Sequence, residues 1–564
     1  MRRRPRKVRS FAWQAATVGI IGIAGCATRS PLPPDAFIRV SLPTPQLPPP
    51  AEPAALPLAP ASKEEPPRPS TASKLPLSGP LSLNLVLESV EAAFPLLYAI
   101  EQEREIAAGQ RLTAEGQFDP VLRSQGLNQS GTFASTRFNT AVEQATPFSG
   151  ISTVAGWRLM NGNFPVYYGD RKTADGGEFR VGVNVPLLQN REIDPRRARL
   201  RAAQITEQLA DPVIRRARLD YQRLAAQAYW SWQAAGGQYR VAEYLLQLAV
   251  VRQRLLDGQF EAQLISERTV VLNRRIVASR REGLLTTERV LQQAALRLSL
   301  YLRDGEGNPV VPPPEWLLPD FIELQPPMPQ PDLLAADVER AYQNRPELVR
   351  FQFEKERRTL ELQLASNQLL PRLDAFANVA QDVGAAKKTL TGTGIFTTDR
   401  TTAEVGATFE FPVPLRAARG QVNTARAQLS QLLAQERYTR DEIAAQVQDA
   451  VSELDLTYKR LRQARDELEQ AKLVLSFDTE RFRLQQIDLI ELNLQEIAAA
   501  EAQAKVVMML GAYYSAVANY LAVLGIDNPR HGSGAVLPGG INVAVPENTA
   551  RPSELLPKPR EIAP

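Results

Sequence analysis

Val447, Leu454, Leu461, Leu468, Leu475 and Phe482 recur every seven residues. Val451 and Tyr458 fill the alternate seam position, which Arg465, Lys472 and Thr479 take over later. A seven-residue period is the coiled-coil period, so this stretch is expected to form one long helix packed along its leucine stripe. About 65 residues at a rise of about 1.5 Å each make a rod of roughly 100 Å. Such a rod does not fold into a compact globule. A return helix is expected after it, near 488–524, making a helical hairpin.

The pattern occurs twice. Phe94-Pro95 precedes Pro120 by the same interval that separates Arg345-Pro346 from Pro371, and each interval has a helical pattern such as Leu348, Phe351, Leu360 and Leu364. Short alternating runs follow, then Pro186 or Pro412, then a long helical stretch reaching Gly258 or Gln485. The first copy has its own return helix, near 262–303. Matching order and spacing point to an internal duplication. Proline marks the boundaries. Of 44 prolines, 16 lie in 27–80, nine in 309–331 and seven in 527–564. Proline lacks the N–H that regular elements need. The expected organisation is a signal segment (1–25), a spacer (26–80), a first repeat (81–308), a linker (309–332), a second repeat (333–526) and a disordered tail (527–564).

The strands constrain function. Ala403, Val405, Ala407, Phe409 and Phe411 alternate with Glu404, Gly406, Thr408 and Glu410. Phe179, Val181, Val183 and Val185 alternate with Arg180, Gly182 and Asn184. A membrane barrel strand needs about 9–11 residues with one face to lipid and one to water. A soluble sandwich gives the same alternation, but rod-length helices leave no nearby core for such strands to cover. Val405, Ala407, Phe409 and Phe411 are therefore assigned to a lipid face. Partner strands are expected near 121–129 and 372–380, two per repeat and four in all. Four strands cannot close, and an open edge in lipid leaves backbone groups unsatisfied, so several chains must share one barrel.

Composition narrows the rest. Residues 1–25 hold six basic residues and no acids, so without them the formal net charge of +4 becomes 4 − 6 = −2. The basicity belongs to targeting, and no nucleic-acid partner is expected. No apolar run reaches the roughly 18–20 residues of a spanning helix. The stretch Phe11 to Ala24 ends in Ile23-Ala24-Gly25-Cys26, which resembles a bacterial lipoprotein signal. That resemblance implies an acylated (palmitate-type) Cys26, with Ala27 favouring export to the outer membrane. Cys26 is the only cysteine and His531 the only histidine. No His/Cys metal site, cofactor or catalytic triad is therefore expected, and the chain is not read as an enzyme. The string GTG at 392–394 lacks a P-loop lysine and reads as a loop.

Taken together, the chain resembles the TolC-like outer-membrane efflux channel family over about 82–525. The strings RPEL at 345–348, LPRLDAF at 370–376, VGATFEFPVPL at 405–415, GQVNTARAQL at 420–429 and RFRLQQIDLIEL at 481–492 resemble that family's second repeat and hairpin turn. The resemblance implies a mainly α fold with a membrane β-barrel. Two tandem repeats each give long coiled-coil hairpins and two strands, and a homotrimer forms a 12-stranded barrel above a periplasmic helical tunnel. It implies a passive exit duct of a tripartite pump or type I secretion system, with an inner-membrane transporter and a periplasmic adaptor as partners. It also implies a place in the outer membrane, in contact with its lipid, with the helices extending into the periplasm. The matching tip positions are Arg254, Asp257 and Glu261 in the first copy and Arg483, Asp488 and Glu491 in the second, expected to gate the tip or dock the adaptor. Solvated turn charges would look the same. Gly258 is read as the first turn's glycine and Gln485 as its replacement in the second, while the longer first-repeat strand loop, with Trp157, Tyr167 and Tyr168, is expected to face outside. Two other readings, a non-transporting coiled-coil lipoprotein bridging the outer membrane to a periplasmic partner and a pump adaptor, leave the two tandem strand pairs unexplained.

Overall fold

The computed structural model describes residues 79–164, 172–384 and 401–527. The signal segment, Cys26, the spacer to residue 78, Tyr167, Tyr168, the string at 392–394 and the tail from 528, with His531, lie outside the described residues.

The first repeat runs α1 (Leu83–Ala93), α2 (Pro95–Glu115), β1 (Val121–Gln129), β2 (Ser135–Ala145), β3 (Ser152–Gly162), β4 (Glu178–Pro186), α3 (Pro195–Glu261) and α4 (Glu267–Ser299). The second runs α5 (Leu334–Asn344), α6 (Pro346–Asn367), β5 (Arg372–Asp382), β6 (Thr401–Glu410), α7 (Arg416–Arg483) and α8 (Leu489–Val523). The long helices have 67 and 68 residues, which at about 1.5 Å per residue gives rods of roughly 100 Å. Local chemistry starts them. Pro95, Pro195 and Pro346 each occupy a first helical turn, where the missing N–H costs nothing. Asp194 caps α3 by accepting from the N–H groups of Arg196 (2.8 Å) and Arg197 (3.1 Å).

The heptad stripe is the packing seam. Val447, Leu454, Leu461 and Leu468 are buried, and Leu475 and Phe482 are half-buried nearer the tip. Helix α4 packs on α3, α3 on α8, and α8 on α7. The thickest part of the core is aromatic: Trp230 stacks on Tyr514 at 4.3 Å between ring centroids and meets Tyr229 edge-on at 4.9 Å. Helix α8 corrects the expectation that no apolar run is long enough to span. Val506 to Leu524 carries no charge, and among the described residues Leu489–Val523 alone is long and apolar enough to cross a membrane by itself, a bent α1–α2 pair passing only jointly. Its apolar window is 67% buried inside the chain, with Val506, Leu510, Tyr513, Val517 and Leu521 in the core. That burial makes it a core helix. The proline-rich linker also departs from a plain spacer. Leu317 and Phe321 are buried, Arg240 donates to the Leu318 carbonyl at 2.6 Å, and Tyr513 donates to the Pro327 carbonyl at 2.7 Å. Proline prevents long helices here but does not prevent packing.

The sheet holds the main correction. Among the described residues six antiparallel strands, not four, form one meander in the order β1 to β6. The first repeat contributes four because the longer segment between β1 and β4 folds into the hairpin β2–β3, with Trp157 on β3. It is therefore not simply an outside loop, and the 12-strand count for three chains does not hold for this sheet. The register places Leu122, Val142, Ala155, Val181, Val379 and Ala403 in one row on one face. Followed along all six strands, that face carries no charged residue, and every strand charge lies on the other. The outer edges of β1 and β6 are unpaired among the described residues.

The aromatic cluster generates a stability prediction. Trp230→Ala is expected to cost about 3–5 kcal/mol, the usual loss for a buried aromatic. The midpoint of denaturant unfolding, followed by helical circular dichroism, checks it.

Candidate functional site at the hairpin tips

Both hairpins turn in the same way. Helix α3 ends at Glu261 and Gln263 takes φ 59°, while α7 ends at Arg483 and Gln485 also takes φ 59°. The N–H of Gln263 bonds the Phe260 carbonyl (2.8 Å) and that of Leu264 bonds Gln259 (2.9 Å). In the second turn Gln485 bonds Phe482 (3.0 Å) and Gln486 bonds Arg481 (2.8 Å). These paired bonds close a left-handed helix end. The counterpart of Gln485 is therefore Gln263. Gly258 lies inside α3 without a positive φ, so its reading as the turn glycine is corrected.

The six tip charges named from the sequence do not form one cluster. Asp257 accepts from Gln253 at 2.9 Å and from Arg274 at 3.2 Å, both in its own hairpin. Arg254 and Glu261 are exposed on the end of α3. Arg483 pairs with Glu480 at 2.6 Å, both more than half exposed. Asp488 caps α8 by accepting from the Glu491 N–H at 2.9 Å, and the Glu491 carboxylate lies 3.5 Å from Arg481. On the sheet, Val405, Ala407 and Phe409 share the charge-free face, with Val405 84% exposed, and Phe411 lies just beyond β6.

The link between hairpins sits about two turns from the tip and was not named from the sequence. Glu496 of α8 is 3% exposed and accepts from Arg252 of α3 and from Arg280 of α4, the latter at 2.5 Å. Arg280 also donates to Asn493 (2.9 Å) and to the Leu245 carbonyl (2.8 Å). Asn273, fully buried, bonds the Ala249 carbonyl at 3.1 Å. Burial pushes the guanidinium groups of Arg252 and Arg280 down to about 10, and for Arg252 the neighbouring Arg280 charge adds to it. Both remain charged at neutral pH. Below this triad, Ala249, Leu256 and Ile276 of the first hairpin pack with Leu489 of the second. A signal existed. Leu489, Leu492, Glu496, Ala499 and Gln503 continue a heptad seam, so a carboxylate stands where the seam calls for an apolar side chain.

Residues 338–525 match the model of the outer membrane efflux protein family. Over those residues, which make up most of the second repeat, the chain is similar to this family. Among solved structures it is similar to the Campylobacter jejuni CmeC outer membrane channel, at 13% identity and TM-score 0.55 over 80% of this chain and 86% of that one. It is similar to the outer membrane protein VceC of Vibrio cholerae at 16% identity and TM-score 0.55, covering 78% and 96%. The open state of the Neisseria gonorrhoeae MtrE outer membrane channel matches at 12% identity and TM-score 0.54, covering 79% and 90%. At such identities the likeness is one of fold alone. Among curated proteins no sequence relative matches.

The triad predicts an asymmetry between buried and exposed charges. Glu496→Ala leaves two buried guanidinium groups without their carboxylate and is expected to cost about 3–5 kcal/mol. Glu480→Ala, at an exposed pair, is expected to leave the unfolding midpoint unchanged within error. Equal effects of the two variants on denaturant unfolding would contradict the assignment of Glu496 as the hairpin link.

Proposed function

We propose that this chain is the outer-membrane exit duct of a tripartite efflux pump or a type I secretion system, working as a homotrimer. One observation carries the reading: both layers of the protomer end in open edges on opposite sides. The sheet ends in β1 and β6. The helical layer ends in α4, with Val271, Leu285, Val290 and Leu296 exposed, and in α7, with Tyr438, Leu456, Leu473 and Phe477 exposed. Apolar stripes and unpaired strand edges on opposite flanks suit head-to-tail contacts that close into a ring. A ring of such protomers encloses water within a tube, which is what a passive conduit requires.

In this reading the helical tips face the periplasm, where an adaptor docks and an inner-membrane transporter supplies the energy. Cys26 carries the lipid anchor, its acyl chains contributing about 0.8 kcal/mol per buried CH₂. The lipid face of the barrel includes Val405, Ala407, Phe409 and Phe411. Arg254, Asp257, Glu261, Arg483, Asp488 and Glu491 form the rim of the tip. Repeated around a ring, its carboxylates favour cations at the narrow end. The Arg252–Glu496–Arg280 triad ties α8 to the first hairpin within a protomer, so opening of the tip moves these hairpins as one body.

Single-channel recording tests the rim. Asp488→Ala combined with Glu491→Ala is expected to raise conductance in a planar bilayer and to reduce cation preference. Unchanged conductance and selectivity would remove these two carboxylates from the narrow end.

A further inference from the structure

Among the described residues the hairpin β2–β3 has no counterpart in the second repeat, where β5 and β6 pair with each other. Its chemistry is that of the strands around it. On β2 and β3, Phe138, Val142, Ala155, Trp157 and Leu159 fall on the charge-free face, in register with Phe179 and Val181 of β4. Arg137, Glu143 and Arg158 fall on the charged face, where Arg158 pairs with the buried Glu178 at 2.5 Å. Both strands are 11 residues long, the same as β5 and within the length that spans a bilayer as a tilted strand.

The hairpin also traverses the full height of the sheet. Its turn at 146–151 lies at the helix end, where Gly150 approaches Pro186 and the Asn190 carbonyl so closely that a Cβ would stand 2.5 Å from that oxygen. Midway along β3, where β4 enters the sheet, Trp157 donates to the Gly176 carbonyl at 2.9 Å beside Phe138, whose ring lies 5.8 Å away. Phe148 in the turn is 74% exposed, and Phe409 and Phe411 lie at the same helix end. Aromatic side chains at the helix end of a charge-free band suit the interfacial girdle of a membrane barrel, and Trp157 with Phe138 lies on the band itself.

We propose that β2 and β3 are membrane-spanning staves, so that each chain inserts six strands and three chains close an eighteen-stranded barrel. The occupant of the β1 edge is β6 of a second copy of this chain. The two edges suit one another in length, at nine and ten residues, and in charge. On the water-facing side β1 carries Arg123 and no acid, while β6 carries Glu404 and Glu410 and no base. Barrel diameter grows roughly linearly with strand number, and barrels of 16–18 strands leave an aqueous channel. The duct thus opens outward through a mouth about half again as wide as twelve strands would give.

The total of eighteen rests on the trimer reading, whereas the six staves per chain do not. Single cysteines introduced as Val142→Cys, Ala155→Cys and Asn139→Cys, with Val181→Cys and Val405→Cys as references, are spin-labelled in the assembly reconstituted into phosphatidylcholine vesicles. The unsubstituted chain sets the background from Cys26. Labels at 142 and 155 are expected to match 181 and 405 in preferring oxygen over a water-soluble nickel chelate, with 139 showing the reverse. Nickel accessibility at 139, 142 and 155 alike would place the hairpin outside lipid and overturn the proposal. Native Trp157 gives a second readout: brominated phospholipid is expected to quench part of the tryptophan emission, and Trp157→Phe to abolish that quenching. Quenching unchanged by Trp157→Phe would contradict it. Light scattering of the same assembly counts copies, and a number other than three overturns the trimer and the total of eighteen while the labels still report on the staves.

Discussion

The outer edges of β1 and β6, without a strand partner among the described residues, are the constraint on which the rest depends. Each backbone N–H or C=O group left without a partner in lipid costs several kcal/mol, and a six-stranded sheet is too narrow to seal itself. In the proposed assembly those edges are satisfied by strands from other copies. The helical layer obeys the same logic by a different force, since the apolar stripes on α4 and α7 face outward until a neighbour covers them. In that proposal one symmetry operation covers both layers, because the open flanks lie at opposite ends of each.

The duplication explains how one chain supplies both layers. A helix–strand–helix unit copied in tandem gives two hairpins whose seam is a shared heptad stripe and whose turns use the same left-handed glutamine, Gln263 and Gln485. Among the described residues the copies differ in the hairpin β2–β3, which belongs to the first repeat alone. That hairpin widens the sheet between β1 and β4, the two strands of the first repeat that lead to its helices. Within the protomer the hairpins are joined near their tips by Glu496 between Arg252 and Arg280. A buried ion triad is weak evidence for stability but a strong constraint on register, since shifting α8 by one residue would strand three charges in an apolar seam.

Much of this was legible in the sequence. The leucine stripe from Val447 to Leu468 and the alternation from Ala403 to Phe409 carry single clean periods, and both elements stand where those periods put them. Strands β2 and β3 were hidden because their periods are blurred: Thr140 and Thr153 fall on the apolar face, while Val154 and Met160 fall on the charged one. The tip turns misled for another reason. Glycine is the usual left-handed residue, so Gly258 drew attention away from Gln263, which adopts that conformation at a cost that the paired turn hydrogen bonds offset. The triad was missed because single arginines and a glutamate on long charged helices look like surface residues; only their position in the seam sets them apart.

The central claim is that sister copies supply what this sheet lacks. An electron cryomicroscopy map of the detergent-extracted assembly tests it most directly. The account expects three copies in a closed ring, with β1 of each hydrogen-bonded to β6 of the next. A single chain whose β1 and β6 edges stay free, or are covered by its own residues, would contradict it.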